Sequence, residues 1–184
     1  LGLQVEPGED IEGSSVAVYF VDEHGIDTLG LNLLAGENFS PTDVSWRGSS
    51  DTDWPDKTII TRAMAEALFP DDPDGAIGKT VYLPGDEPVT IIGIVKQLQA
   101  PWNGWDGVER AMLTPNHTLF GATRYIIRTE PGRRDELMPN VEALLAESNK
   151  DRIVRSMRTM DEVRERSYRG DSSMIKILTF TIIL

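Results

Sequence analysis

Two stretches in which strand-forming and helix-forming patterns alternate constrain this chain most. Residues 14–34 and 123–157 both read as β-α-β-like, and they flank a block of different character, residues 40–118. In the first stretch Ser14 to Phe20 is rich in β-branched and aromatic residues and predicts a strand. Residues 21–29 predict a short helix that Gly30 ends, and Leu31 to Leu34 is a brief apolar return. In the second stretch Thr123 to Thr129 and Arg152 to Met157 predict strands around a helix from Arg133 to Glu147, with Leu137, Met138, Val141, Leu144 and Leu145 on one stripe. Such a strand-helix-strand run is a βαβ unit with a right-handed crossover. It places Pro139 in the first helical turn, where a missing N–H costs little.

The middle block is read differently. Ser40 to Asp56 is rich in Ser, Asp, Gly and Pro and predicts a long loop with Trp46 and Trp54 as its large apolar anchors. Lys57 to Ile60 predicts a strand, and Thr61 is placed to N-cap a helix from Arg62 to Phe69 that Pro70 stops. Lys79 to Leu83 and Val89 to Val95 predict a hairpin around residues 84–87. A second loop, Gln97 to Gly107, carries Trp102 and Trp105 and leads into a strand from Arg110 to Thr114. All four tryptophans therefore fall in the middle block. The expected fold class is α/β (α+β): a discontinuous βαβ-type subdomain with an inserted, mostly β subdomain.

Beyond the second stretch, Thr159 and Glu162 have the spacing of a capping box opening a polar helix. That helix points towards an apolar run, Met174 to Leu184, of eleven residues. Spanning a bilayer takes about twenty. The run is read either as a terminal core element or as the first part of a membrane helix.

Charge and composition exclude several functions. The net charge of −12 sets the chain against nucleic acid, whose phosphates it would repel. Its distribution is uneven: residues 1–56 hold twelve Asp or Glu, and Arg47 is their only base. This acidic third is either an ordinary solvated face or a surface that steers a cationic cargo or basic partner. There is no cysteine, and the two histidines, His24 and His117, form no H-x-x-x-H pair, so no metal or cofactor is expected.

Three motifs resemble catalytic ones and fail on context. Gly78-Lys79-Thr80 lacks the upstream glycine of a phosphate-binding loop, since Pro73 stands there, and it precedes a strand where such a loop needs a helix. Asp72-Pro73-Asp74-Gly75 puts Val81 where a calcium loop needs a bidentate Glu. Ser173 and Lys176 share the β-lactamase spacing without its companion elements. No catalytic set assembles, so the chain is not expected to be an enzyme.

Val18-Tyr19-Phe20 through Thr28-Leu29-Gly30-Leu31-Asn32-Leu33-Leu34-Ala35-Gly36-Glu37-Asn38-Phe39 resembles the leading-strand and LGL-x-LLAGR-x-F segment of the MacB-like periplasmic core domain, with Glu37 where Arg is common. Residues 58–61 with Ala67-Leu68-Phe69-Pro70, then Ala76-Ile77-Gly78-Lys79, then residues 89–95 are similar to that family's remaining segments in the same order.

The resemblance implies an extracytoplasmic domain between transmembrane helices one and two of an ABC transporter permease of the FtsX/MacB type. The domain would lie on the periplasmic or extracellular side of a bacterial cell membrane. Residues 1–39 and 119–159 would be porter-like, 40–118 a sabre-like insertion, and 160–184 a helix leading into the second transmembrane helix. The implied work is mechanotransmission: ATP hydrolysis by a cytoplasmic ABC ATPase subunit moves the domains of two permease copies to export or release a substrate. A second permease copy, a periplasmic adaptor protein and the membrane are the implied partners. Arg164, Arg166 and Arg169 would sit just outside the bilayer, with Gly170 the weak point of the coupling helix. The competing reading is a peptide- or lipid-binding or sensing module in which Trp102 and Trp105 touch the ligand. Covering the small β block is the plain alternative for both rings.

Overall fold

A computed structural model describes residues 1–8, 13–102, 104–119, 121–151, 153–166 and 168. The chain divides into two compact units, Leu1–Arg128 and Thr129–Leu184.

The first unit is built on a mixed sheet. Its strands are β3 (Ala17–Val21), β4 (Leu33–Gly36), β5 (Ser45–Gly48), β6 (Lys57–Thr61), β7 (Thr80–Leu83), β8 (Glu87–Val95) and β9 (Ala111–Leu119), preceded by a small ribbon of β1 (Gly2–Leu3) and β2 (Ser14–Ser15). The main path is β3-β9-β6-β8-β4, with β5 on β9 and β7 on β8. Parallel pairs (β3·β9, β5·β9, β6·β8) mix with antiparallel ones (β6·β9, β4·β8, β7·β8). Neighbouring residues on the three inner strands go to opposite faces, as a period of two requires. Ile60, Ile91 and Met112 enter one core cluster, while Ile59, Ile92 and Leu113 enter the other. Strands buried on both faces need apolar side chains at successive positions, which is why these segments read as continuous runs and not as alternation.

Two short helices cover the sheet. α1 (Gly25–Leu29) buries Ile26 and ends at Gly30, whose φ of 67° is the left-handed conformation of a C-cap. α2 (Arg62–Leu68) starts at Thr61, whose hydroxyl accepts the Met64 N–H, and buries Met64, Ala65 and Leu68. The expected hairpin forms between β7 and β8, with Leu83 opposite Glu87. Ser40 to Asp56 is not loop throughout: β5 lies within it and pairs with the far end of β9, Ser45 opposite Asn116.

The second unit corrects the βαβ expectation. α3 (Arg134–Ser148) is present, but residues 123–129 and 153–157 form no strand. Strand propensity there is not matched by a partner strand among the described residues. The parallel strand-helix-strand arrangement falls instead at β6, α2 and β8. Pro139 lies at the sixth position of α3, inside the helix and past its first turn, so the ladder loses one N–H donor. α3 buries none of its residues; Leu137, Met138, Val141 and Leu145 are half-buried and Leu144 is exposed. Residues 160–166 are helical and open with the expected capping box: Glu162 accepts the Thr159 N–H at 2.8 Å, and the Thr159 hydroxyl accepts the Glu162 N–H at 3.1 Å. The apolar run of residues 174–184 lies outside the described residues. Among those described, no helix is long and apolar enough to cross a membrane.

Candidate functional site

The loop between β8 and β9 carries Trp102 and Trp105, and its two ends are tied to the core. Tyr19 donates its hydroxyl to the Gln99 carbonyl at 2.8 Å, and burial raises the pKa of that phenol. Gln97 donates to the Glu109 carboxylate at 2.6 Å. Inside the loop, Ala100 N–H donates to the Val108 carbonyl at 2.7 Å and Trp105 N–H to the Trp102 carbonyl at 3.2 Å. Just before β9, the Thr61 hydroxyl donates to the Glu109 carbonyl at 2.7 Å. It also accepts the N–H of Ala111 at 3.1 Å.

The two rings have different jobs. Trp105 is half-buried and packs against the small cluster of Ala17, Ala100 and Ala111 beside Tyr19, Leu98 and Val108. Gly107 leaves room for it, because a Cβ at that position would overlap the indole. Trp102 is 60% exposed. It meets Trp105 in a T-shaped contact, with centroids 6.2 Å apart and planes at 76°. Covering the core thus accounts for Trp105, while Trp102 presents an apolar ring to its surroundings.

The acidic third has a second aromatic feature, at β5. Trp54 anchors its loop as expected, stacked on Phe20 at 6.2 Å. Trp46 does not: it is 67% exposed, because the pleat of β5 turns it outward, and its ring lies 4.8 Å from His117 on β9. The residue turned inward is Arg47. Its guanidinium donates to the backbone carbonyls of Asp53 and Asp51 and lies 4.3 Å from the Trp54 ring. Neither charge nor the Ser- and Asp-rich composition around β5 gave a sign of this burial. Nearby, Asp43 accepts from the Lys57 ammonium at 2.7 Å and from the Ser40 hydroxyl and N–H, and these bonds hold its pKa down at about 2.

The remaining expected residues do not join this loop. Arg164 and Arg166 are exposed on the helix of residues 160–166, in the second unit, while Trp102 and Trp105 belong to the first. Arg169 and Gly170 lie outside the described residues, as do Ser173 and Lys176. Gly78-Lys79-Thr80 runs into β7, and the Lys79 ammonium sits 4.3 Å from the Phe69 ring. Asp72 caps the N–H of Gly75 at 3.0 Å. Among the described residues no group of His, Asp or Glu is arranged to hold a metal ion. The exposed features described in the first unit are aromatic and acidic.

The profile of the MacB-like periplasmic core domain matches residues 3–167. No curated protein matches the chain. The solved periplasmic region of MacB from Actinobacillus actinomycetemcomitans is similar to it at 19% identity and a TM-score of 0.54, over 80% of this chain and 62% of that one. The extracellular domain of the noncanonic ABC-type transporter YknZ from Gram-positive bacteria has 23% identity and a TM-score of 0.42, over 62% of this chain and 48% of its own. The chain thus spans less than two thirds of the length of either structure. What it shares with the MacB region is the fold, a central mixed sheet with few helices.

Proposed function

Because this chain belongs to the MacB-like periplasmic core domain family, we propose that it is the extracytoplasmic part of an ABC transporter permease, carrying motion from the membrane to the outside for export or release of a substrate. The observation that carries this reading is the family match over residues 3–167, on a fold whose sheet is packed on both faces. A body with such a core moves as a unit, since close-packed interiors transmit displacement and do not absorb it.

Within this proposal, ATP hydrolysis takes place on a cytoplasmic ABC ATPase subunit, and a second permease copy supplies the facing domain. An adaptor protein is a further partner, and flanking helices anchor the domain in the membrane. The porter-like part, residues 1–39 and 119–159, and the sabre-like part, residues 40–118, are proposed as a division of labour and not of packing, since β3 and β9 are hydrogen-bonded in one sheet. The segment from Thr159 onward, with Arg164, Arg166, Arg169 and Gly170, is proposed as the coupling helix.

The test is a flexible Gly-Ser insertion after Gly170 in the full-length permease, with transport and ATP hydrolysis measured together. Lost transport with hydrolysis maintained supports a rigid coupling segment; unchanged transport overturns it. A second reading, a peptide- or lipid-sensing module, is favoured by the exposed ring of Trp102. Trp102→Ala separates the two, since a sensing role predicts lost ligand response with transport intact.

A further inference from the structure

The outer face of the β5–β9 ribbon is apolar and has exposed carboxylates at its end. Register places Trp46 opposite His117 and Gly48 opposite Leu119, so Trp46, His117 and Leu119 share one side of the ribbon. Trp46 and Leu119 are 67% and 61% exposed. The strand is held in this orientation by Arg47, which points to the other side and is spent on the Asp51 and Asp53 carbonyls and the Trp54 ring. Arg47 is also the only base among residues 1–56, against twelve acids. With that guanidinium buried, the Lys, Arg, Asp and Glu side chains that residues 1–56 expose, among the described residues, are carboxylates. The Asp51 carboxylate lies at the end of the ribbon, accepting the Gly48 N–H at 2.7 Å, and Asp53 and Asp56 are exposed beyond it.

We propose that the Trp46–His117–Leu119 face docks a basic polypeptide segment of a partner protein. The ribbon offers an exposed indole beside an imidazole and a leucine, the kind of feature that anchors protein contacts. A guanidinium or ammonium is attracted both to the face of an indole and to the carboxylates around it. The surrounding negative charge raises the association rate of a cationic segment and repels an acidic one. The face lies in the first unit and stands whether or not the segment beyond Thr159 transmits force.

The test uses the 184-residue chain and two synthetic probes, a peptide alternating arginine and leucine and its counterpart with glutamate for arginine. Calorimetric titration reads affinity at low and high salt, and amide chemical-shift mapping on the unaltered chain locates the probe without any substitution. The expected result is binding of the arginine peptide alone, weakened by salt, with shifts at residues 45–48 and 116–119. Trp46→Ser and Leu119→Ser should each weaken it at least about tenfold, the scale of an interface anchor, whereas Leu34→Ser, at an exposed position on β4, leaves it unchanged. Equal binding of the glutamate peptide, unchanged affinity in Trp46→Ser, or shifts elsewhere would overturn the proposal. So would Trp46-dependent binding to phosphatidylglycerol vesicles that the arginine peptide does not displace, which would make the face a membrane contact.

Discussion

Replacing Thr61 by Val should be among the most damaging single changes to the first unit, although it alters one atom's chemistry and hardly its volume. Thr61 is fully buried, and its hydroxyl uses its whole hydrogen-bonding capacity. It donates to the Glu109 carbonyl at 2.7 Å and accepts the N–H of Ala111 at 3.1 Å and of Met64 at 3.4 Å. One side chain thus caps α2 and closes the end of the Trp102–Trp105 loop. Losing an N-cap costs about 1 kcal/mol. Leaving the Ala111 N–H buried without a partner adds roughly 1–3 kcal/mol, so Thr61→Val should cost about 2–4 kcal/mol in all. That is a large share of the ~5–15 kcal/mol typical of a domain. Thr61→Ser keeps the hydroxyl and removes one methyl, about 1 kcal/mol. Urea denaturation of both variants measures the difference. Equal destabilisation by Ser and Val would refute the argument, since it would place the value of Thr61 in its methyl group.

Three further outcomes follow from the same geometry. Thr114→Val should be neutral or stabilising in the same urea assay, because the buried Thr114 hydroxyl has no hydrogen-bond partner among the described residues. Gly30→Ala should destabilise by at least about 1–2 kcal/mol, the cost of a left-handed residue with a Cβ. Part of that effect should vanish in the Arg128→Ala background, because a Cβ at Gly30 would meet the Arg128 guanidinium, whose Nε donates to the Thr28 carbonyl at 2.8 Å. Asp43→Asn should lower stability at neutral pH and converge with the unaltered chain in acid. Folding depresses the Asp43 pKa to about 2, so its contribution is present above the ordinary carboxylate pKa and is lost as pH falls from there through about 2; chemical denaturation at pH 7, 4 and 2 checks the sign.

What could be read from the sequence was local. The Thr61 cap, the Gly30 stop, the β7–β8 hairpin and the Thr159–Glu162 box are each decided within a few residues, and each formed as the pattern predicts. What could not be read depended on distant partners. β5 has four residues, and its partner at Asn116 lies 71 positions away, so nothing in the Ser- and Asp-rich stretch around it marked a strand. The converse error arose at residues 123–129 and 153–157, where β-branched residues suggested strands and no pairing strand is present among the described residues. The roles of the tryptophans followed the same division. Composition placed all four in the middle block, but only register turned Trp46 outward and Arg47 inward.

Under the proposed function this domain moves when ATP is bound and hydrolysed elsewhere in the assembly, and distance measurement between two copies tests that directly. Residues 1–184 contain no cysteine, so in a full-length permease cleared of any cysteine elsewhere, a single cysteine at exposed Ser49, and separately at exposed Glu142 on α3, gives one spin label per copy and reports on each compact unit. Pulsed electron spin resonance on the full-length permease with its ATPase then compares nucleotide-free, ATP-bound and vanadate-trapped states. The account predicts that the inter-copy distance distribution shifts between these states at both positions. Identical distributions in all three, in a preparation that hydrolyses ATP, would contradict it.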